Sequence, residues 1–283
     1  MFSQTVVLIL TLSLAENPLA NADFELREEI VYAKVKEREL LLDAYLPHGK
    51  EIRPAILVVH GGAWKMGNRK QLRAYATALA KRGFACFAID YRLAPDHKFP
   101  AQIEDCRSAV KWIRQHASEY KVDPTRLGAI GYSAGGHLVS LLGTTGEAAN
   151  DANGNIDMRL QAIVAGGAPT DFRWFPDNGR WAEYWMGGDL KTVPEKFRNA
   201  SSAAFVDKND PPTFFFNGDK DKLVPLVWSK TCFELLKQHG VKTEMHVVEG
   251  AGHMQAAADK EVLQKAAEFL EAELLDRKPA VTK

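Results

Sequence analysis

Three residue types placed just beyond apolar runs could together perform nucleophilic chemistry. Ser133 lies in Gly131-Tyr132-Ser133-Ala134-Gly135, between the run 127–131 and a helix-compatible stretch. Asp219 and Asp221 follow Phe214-Phe215-Phe216, and His253 closes Glu249-Gly250-Ala251-Gly252-His253 after Val247-Val248. A serine hydroxyl attacks poorly until a neutral imidazole takes its proton, and a carboxylate fixes the tautomer of that imidazole. Glycines two residues either side of Ser133 let the backbone turn tightly and push the hydroxyl outward. The tetrahedral intermediate also needs backbone N–H donors, each worth about 3 kcal/mol of barrier. His60-Gly61-Gly62-Ala63-Trp64 follows the aliphatic run 55–59, and its glycines leave amides open to a ligand. The amides of Gly62 and Ala63, with that of Ala134 at the helix start, are the expected oxyanion donors.

The elements that must hold these residues alternate. Strands are expected at 30–35, 40–46, 55–59, 84–90, 127–131, 160–164, 212–216 and 243–248. Helical periodicity covers 71–81, 101–116, the stretch after Ser133, 226–238 and 254–275. Strands alternating with helices predict an α/β fold, a mostly parallel sheet of about eight strands covered on both faces. Ligands bind such sheets beyond the carboxyl ends of the strands, where Ser133, the acidic pair, His253 and the Gly-Gly turn all fall. The chain order Ser, Asp, His is that of the α/β-hydrolase arrangement. His246 is a rival base but sits inside an alternating strand. His137, four residues after Ser133, reads as a packed neighbour one helical turn along. Residues 169–210 break the alternation and carry Phe172, Trp174, Phe175, Trp181, Tyr184 and Trp185, so they are expected to form a small lid or pocket wall.

Composition narrows the remaining classes. The chain has 283 residues, 46% hydrophobic and 25% charged, enough to bury a large core in one domain, 23–283. Its 36 basic and 36 acidic side chains cancel, which argues against a nucleic-acid partner or an anionic membrane surface. The apolar run 6–14 is too short to span a bilayer, but with Ala20-Asn21-Ala22 it fits a signal peptide, residues 1–22, although no Lys or Arg precedes it. Cleavage near Ala22 and export are expected, with no stable membrane insertion. Cys86, Cys106 and Cys232 have no disulfide-framework or metal spacing and read as buried thiols, one pair of which an oxidising compartment could bridge. Asp151, Asn153, Asn155 and Asp157 alternate like the start of a calcium loop. Gly154 is misplaced for that loop and Ala162 stands where its closing Glu belongs, so a polar loop is expected and no metal.

Six segments together resemble a known group: HGGAW at 60–64, DYRLAP at 90–95, FPAQIED at 99–105, DPTRLGAIGYSAGGHL at 123–138, GDKDKLVP at 218–225 and GAGH at 250–253. The chain resembles α/β-hydrolase esterases of the hormone-sensitive-lipase-like branch, especially bacterial feruloyl- and acetyl-esterase-type enzymes. The resemblance implies a serine carboxylesterase with no cofactor, acting on a small-molecule ester through an acyl-enzyme on Ser133. The family pattern G-x-x-D-x-x-V-P falls on Gly218, Asp221, Val224 and Pro225, which makes Asp221 the implied acid and demotes Asp219. Tyr132 departs from the Asp that hormone-sensitive-lipase relatives carry before the nucleophile, and Asn217 stands where relatives often have His. By the same analogy Asp90-Tyr91-Arg92 and Asp105 brace loops; Trp64, Tyr132 and Trp185 are expected to line the substrate pocket, with a packing role equally open to Trp64. Arylformamidases and peptidases on the same scaffold are the enzymatic alternatives, and an inactive binding protein is the non-enzymatic one.

Overall fold

Alternate side chains of an extended strand point to opposite faces, so a strand buried on both faces loses its polar alternation. β3 (Arg53–Val59) shows this pattern, with every residue from Pro54 onward buried. Leu57 and Val59 join the core on one face, and Ile56 and Val58 the core on the other. The computed structural model describes residues 23–146, 157–174 and 182–275. The run 6–14 and Ala20-Asn21-Ala22, expected to form a signal peptide, positions 151–155 of the expected polar loop, Phe175, Trp181 and the tail 276–283 lie outside the described residues.

Eight strands form one sheet. They are β1 (Phe24–Val35), β2 (Arg38–Pro47), β3, β4 (Ala85–Ile89), β5 (Val122–Tyr132), β6 (Ala162–Gly166), β7 (Thr213–Gly218) and β8 (Thr243–Val248). Their spatial order is β1-β2-β4-β3-β5-β6-β7-β8. β1, β2 and β4 pair antiparallel, and every pairing from β4 through β3 to β8 is parallel. α1 (Arg73–Lys81) and α7 (Lys260–Leu270) pack on the face of Ile56 and Val58. The opposite face carries α2 (Ala101–Gln115), α3 (Ala134–Thr145) and α5 (Leu226–Gln238). This is the α/β-hydrolase architecture.

The topology fixes where a ligand can bind. From β3 the chain crosses by α1 to β4 on one side, then returns by α2 to β5 on the other. The carboxyl ends of β3 and β5 therefore border the point where winding direction reverses, the crevice in which open α/β sheets hold ligands. Val59 pairs with Gly131 and Tyr132 with Gly166, so the turns after β3, β5 and β6 leave the sheet side by side.

Several elements differ from expectation, and β5 begins at Val122, five residues before the apolar run. β1 begins at Phe24, six residues earlier than the apolar pattern indicates, because its first residues pair with the end of β2. The expected final helix is split into α6 (His253–Ala257) and α7, followed by a π-helical turn at Glu271–Leu275. The split occurs at Asp259, whose carboxylate accepts the Val262 amide as an N-cap. The irregular region contains α4 (Pro194–Ala200) and a one-turn π-helix at Ala182–Met186. No helix among the described residues is long and apolar enough to cross a membrane.

Cys86, Cys106 and Cys232 are buried and unbridged. Burial raises all three thiols, Cys232 to about 12, so none is a thiolate at neutral pH. Native protein should therefore fail to react with a disulfide reagent such as DTNB, while guanidinium-unfolded protein should release three equivalents; release of one would mean that a pair is bridged.

Candidate active site

Ser133 occupies the turn between β5 and α3 at φ 58° and ψ −121°. A non-glycine residue at positive φ costs about 1–2 kcal/mol, so the surroundings must hold it. The Ser133 amide donates to Gly166 O at 2.8 Å, and Ser133 O accepts from His137 N at 2.9 Å. The flanking glycines act differently from expectation: neither Gly131 nor Gly135 has positive φ, and the serine itself takes the strained conformation. Their role is close approach. A Cβ on Gly131 would overlap the Gly135 carbonyl group, and one on Gly135 would overlap the Val59 carbonyl. The first turn of α3 thus lies directly against the ends of β3 and β5.

Asp221 and His253 are brought together across 32 residues. His253 Nδ1 donates to Asp221 Oδ2 at 2.6 Å, with the carboxylate buried and the imidazole part-buried. The other oxygen, Oδ1, accepts the amides of Leu223 and Val224 at 2.9 Å each, which fixes the carboxylate plane. Asn217 reaches Oδ2 through Nδ2 at 3.4 Å, and its Oδ1 accepts from Ser229 at 2.6 Å. Asp219 instead points outward to Lys220. With the proton on Nδ1 held by the carboxylate, Nε2 is left as the basic nitrogen. The turn after β6 touches both partners: Gly166 O holds the Ser133 amide, and a Cβ on Gly167 would sit 3.2 Å from His253 Cε1. His246 lies on edge strand β8 with Lys265 Nζ 3.1 Å from its Nδ1.

The turn after β3 runs through three consecutive positive φ values: 110° at Gly62, 52° at Ala63 and 60° at Trp64. Gly62 O accepts from the amides of Lys65 and Met66, both at 3.1 Å. No hydrogen bond among the described residues takes up the amides of Gly62, Ala63 or Ala134, so they remain open to a ligand. Two left-handed non-glycine residues cost about 2–4 kcal/mol. Burying an indole of about 200 Å² returns about 5 kcal/mol, enough to hold the turn if Trp64 packs well.

Trp64 does pack well, and this corrects the pocket expectation. Its ring lies flat on Trp185, centroids 3.6 Å apart and planes 2° apart. Trp64 is 6% exposed and Trp185 0%, so both fill the core and neither offers a face to a ligand. Trp185 Nε1 donates to Gln102 Oε1. Trp64 Nε1 donates to His137 Nδ1 at 3.1 Å, while His137 Nε2 lies 2.6 Å from Ala200 O. An acceptor at Nδ1 and a carbonyl at Nε2 assign a neutral imidazole protonated on Nε2, so His137 links helix to turn. Tyr132 is also buried. Its phenol donates to the carbonyl of His253, and its ring packs on Phe216, so it braces the base and lines no pocket.

Two bracing residues, Tyr184 and Arg69, carried no individual signal as braces in the sequence, whereas Tyr91, Arg92 and Asp105 brace loops as the resemblance implies. Tyr184 donates to Ala63 O at 3.0 Å from an element 121 residues away. Arg69 donates to Asp43 at 2.6 Å and Asp90 at 2.8 Å, tying the loop beyond Trp64 to β2 and β4. Arg92 pairs with buried Asp105, and Tyr91 stacks on His60 while donating to His60 O. Among the described residues no group of three or more His, Cys, Asp or Glu is placed to hold a metal. A cavity of about 880 Å³, lined by Arg107, Thr145, Leu160 and Pro211, opens at the amino-terminal ends of β6 and β7, away from Ser133.

Known proteins resemble this chain over most of its length. The family model BD-FAE matches residues 42–236. Esterase LipC of Mycobacterium tuberculosis is 31% identical over 231 residues, which are 75% of this chain and 56% of LipC. The chain spans about half the length of the curated relatives it matches. A truncated carbohydrate esterase from gut microbiota superposes with a TM-score of 0.79 at 25% identity, covering 91% of this chain and 99% of that one. A thermophilic esterase of Thermogutta terrifontis with butyrate bound gives 0.75 at 26% identity, covering 90% and 97%.

The buried histidines generate a pH dependence of stability. Burial pushes His60 and His137 down to about 4 from the ordinary 6.5. Above pH 6.5 both are neutral in either state and their contribution is fully present. Between 6.5 and 4 the unfolded chain takes up protons that the native protein refuses, so stability falls as pH falls, by up to about 1.4 kcal/mol per pH unit for each. In His137→Gln the amide can still accept from Trp64 and donate to Ala200. Urea unfolding at pH 7, 6 and 5 should give this variant a slope lower by about 0.7 kcal/mol between pH 7 and 6 and about 1.2 kcal/mol between pH 6 and 5; an unchanged slope would contradict the assignment.

Proposed function

The chain belongs to the BD-FAE family, and from that membership we propose that it is a serine carboxylic ester hydrolase with Ser133 as nucleophile, His253 as base and Asp221 as the acid that orients it. The observation carrying this reading is the 2.6 Å bond from His253 Nδ1 to Asp221, formed beside a serine held at positive φ at the same sheet edge. His253 Nε2 takes the Ser133 proton as Oγ attacks the ester carbonyl, and Asp221 stabilises the imidazolium. The oxyanion is met by the amides of Gly62, Ala63 and Ala134, which cost no reorganisation because the turn already presents them. His253 then gives its proton to the leaving alkoxide. Water, activated by the same imidazole, releases the acid and restores Ser133.

The substrate class proposed is an ester of a short acyl or aryl acid, carbohydrate-linked acetate or ferulate included. The names of the structural relatives support this range: one is a carbohydrate esterase and another holds butyrate. Met66, Leu223 and Met254, close in sequence to the Gly62 turn, Asp221 and His253, are exposed apolar side chains, which supports an apolar rim to the site. We further propose export with cleavage after Ala22, supported by the run 6–14 and Ala20-Asn21-Ala22. Expression in a bacterial host followed by amino-terminal sequencing should find mature protein starting at Asp23; a start at Met1 would oppose it.

A p-nitrophenyl ester series from acetate to octanoate, with acetylated xylan and methyl ferulate, tests the activity. Turnover should be highest among the short acyl chains. Ser133→Ala should lose about 10⁵- to 10⁶-fold in kcat and Asp221→Asn about 10⁴-fold through the wrong tautomer. Full activity in folded Ser133→Ala would overturn the mechanism. Cleavage of formylkynurenine or a peptide with no ester hydrolysis would change the reaction class and leave the nucleophile in place.

A further inference from the structure

The irregular segment before α4 reaches the proposed oxyanion turn at consecutive residues. Tyr184 donates its phenolic proton to Ala63 O at 3.0 Å. Trp185 stacks on the Trp64 indole at 3.6 Å. The Trp185 carbonyl accepts the Phe99 amide at 2.8 Å, and its indole bonds Gln102, so the segment is itself anchored on the approach to α2. On the far side of the turn, Trp64 O accepts from Ala94 N at 2.9 Å and Trp64 Nε1 donates to His137. The peptide plane between Ala63 and Trp64 is thus gripped at its carbonyl oxygen by one residue and through the Trp64 side chain by others.

This grip acts on the place where backbone freedom would do most harm. Ala63 and Trp64 are both left-handed without being glycine, so released from restraint they would relax to negative φ. Relaxation of Ala63 to negative φ turns the Gly62–Ala63 peptide, whose N–H is the proposed donor, out of line, and the grip on the Ala63 carbonyl opposes it. Resting on the esterase reading above, we infer that the Ala182–Met186 turn is a strap that sets the oxyanion hole, and that Tyr184 is a positioning residue for the Ala63 amide. Tyr184 is half-buried, and its ring carries Lys65 Nζ 5.0 Å from the centroid. Its hydroxyl is therefore the part of the strap removable with the least disturbance of packing.

Tyr184→Phe removes that oxygen alone. Titration with a fluorophosphonate, read as a mass increase on Ser133, counts competent sites in each preparation, so lost folding changes the number of sites and leaves kcat per site untouched. A trifluoromethyl ketone supplies the second readout. Ser133 Oγ adds to its carbonyl carbon, the serine proton passes to His253, and the former carbonyl oxygen becomes the anion in the hole. Relative to wild type, the variant should keep KM for p-nitrophenyl acetate within about twofold. It should lose roughly ten- to a hundredfold in kcat per site, short of the roughly 10²- to 10³-fold cost of deleting a donor outright. Its inhibition constant for the ketone should rise by the same factor as kcat falls. Unchanged kcat and inhibition constant would overturn the strap, and a change in KM alone would make Tyr184 a pocket wall instead. If wild type itself neither hydrolyses the ester nor takes the label at Ser133, the esterase reading fails and the strap with it; a failure confined to the strap leaves wild type active and labelled.

Discussion

Backbone packed against backbone, with no Cβ between, is the constraint on which the rest of this site depends. Gly135 lies against the Val59 carbonyl, Gly136 against Gly166 O, and Gly61 against Tyr132 O. These contacts bring the first turn of α3 between the ends of β3 and β6, so the oxyanion turn and the Ser133 turn leave the sheet as neighbours. Larger residues at these positions would push the turns apart by about the width of a methyl group, enough to separate a nucleophile from its oxyanion donors. The sheet register carries the same alignment outward, from Tyr132 to Gly166 to Phe216, and so to the loops that bear Asp221 and His253.

The close approach creates strain, and the polar network around it absorbs that strain. Ser133, Ala63 and Trp64 all sit at positive φ. Each is restrained by a distant group: Gly166 for the serine amide, Tyr184 for the Ala63 carbonyl, and Ala94 and His137 for Trp64. The polar residues around these partners are kept neutral by burial or remain paired. His60 and His137 stay neutral through burial, and Arg69 and Arg92 are tied to Asp43, Asp90 and Asp105. Histidine content alone is therefore a poor guide to chemistry here. The exposed edge of the imidazole and its carboxylate partner distinguish His253 from the structural histidines.

What was legible in the sequence follows from what is local. An apolar run ending at a glycine-rich turn marks the carboxyl end of a buried strand, so the sheet and the edge carrying Ser133, Asp221 and His253 could be read before any coordinates. The acid was ambiguous because Asp219 and Asp221 share one short loop. The family pattern implies Asp221, and tertiary placement gives the physical reason: Asp221 turns inward to two amides and the imidazole, and Asp219 turns to Lys220. The aromatic residues escape a local reading for the same reason. Trp64 and Trp185 look like pocket walls by type and by nearness to the motif, yet each buries the other's face, a pairing across 121 residues that no periodicity encodes. The break at Asp259 was locally visible as an N-cap and was hidden by the apolar spacing that continues across it.

That aromatic pairing bears on how the fold combines chemistry with selectivity. Insertions in this architecture are free to vary because they lie outside the sheet, and a wall built from one could change substrate choice without touching the catalytic groups. Here the segment is not independent. Trp185 is the surface on which Trp64 rests, and Tyr184 holds the carbonyl next to the proposed oxyanion donor. A change in the strap moves the oxyanion turn, so turnover depends on two adjacent side chains of the insertion. The coupling is local, because Asp221 and His253 are fixed by a separate set of contacts on the β7 and β8 side. Variation in the strap should therefore alter the stabilisation of the oxyanion while leaving the basicity of the imidazole alone, two effects that kinetics can separate because only the second moves the pH profile.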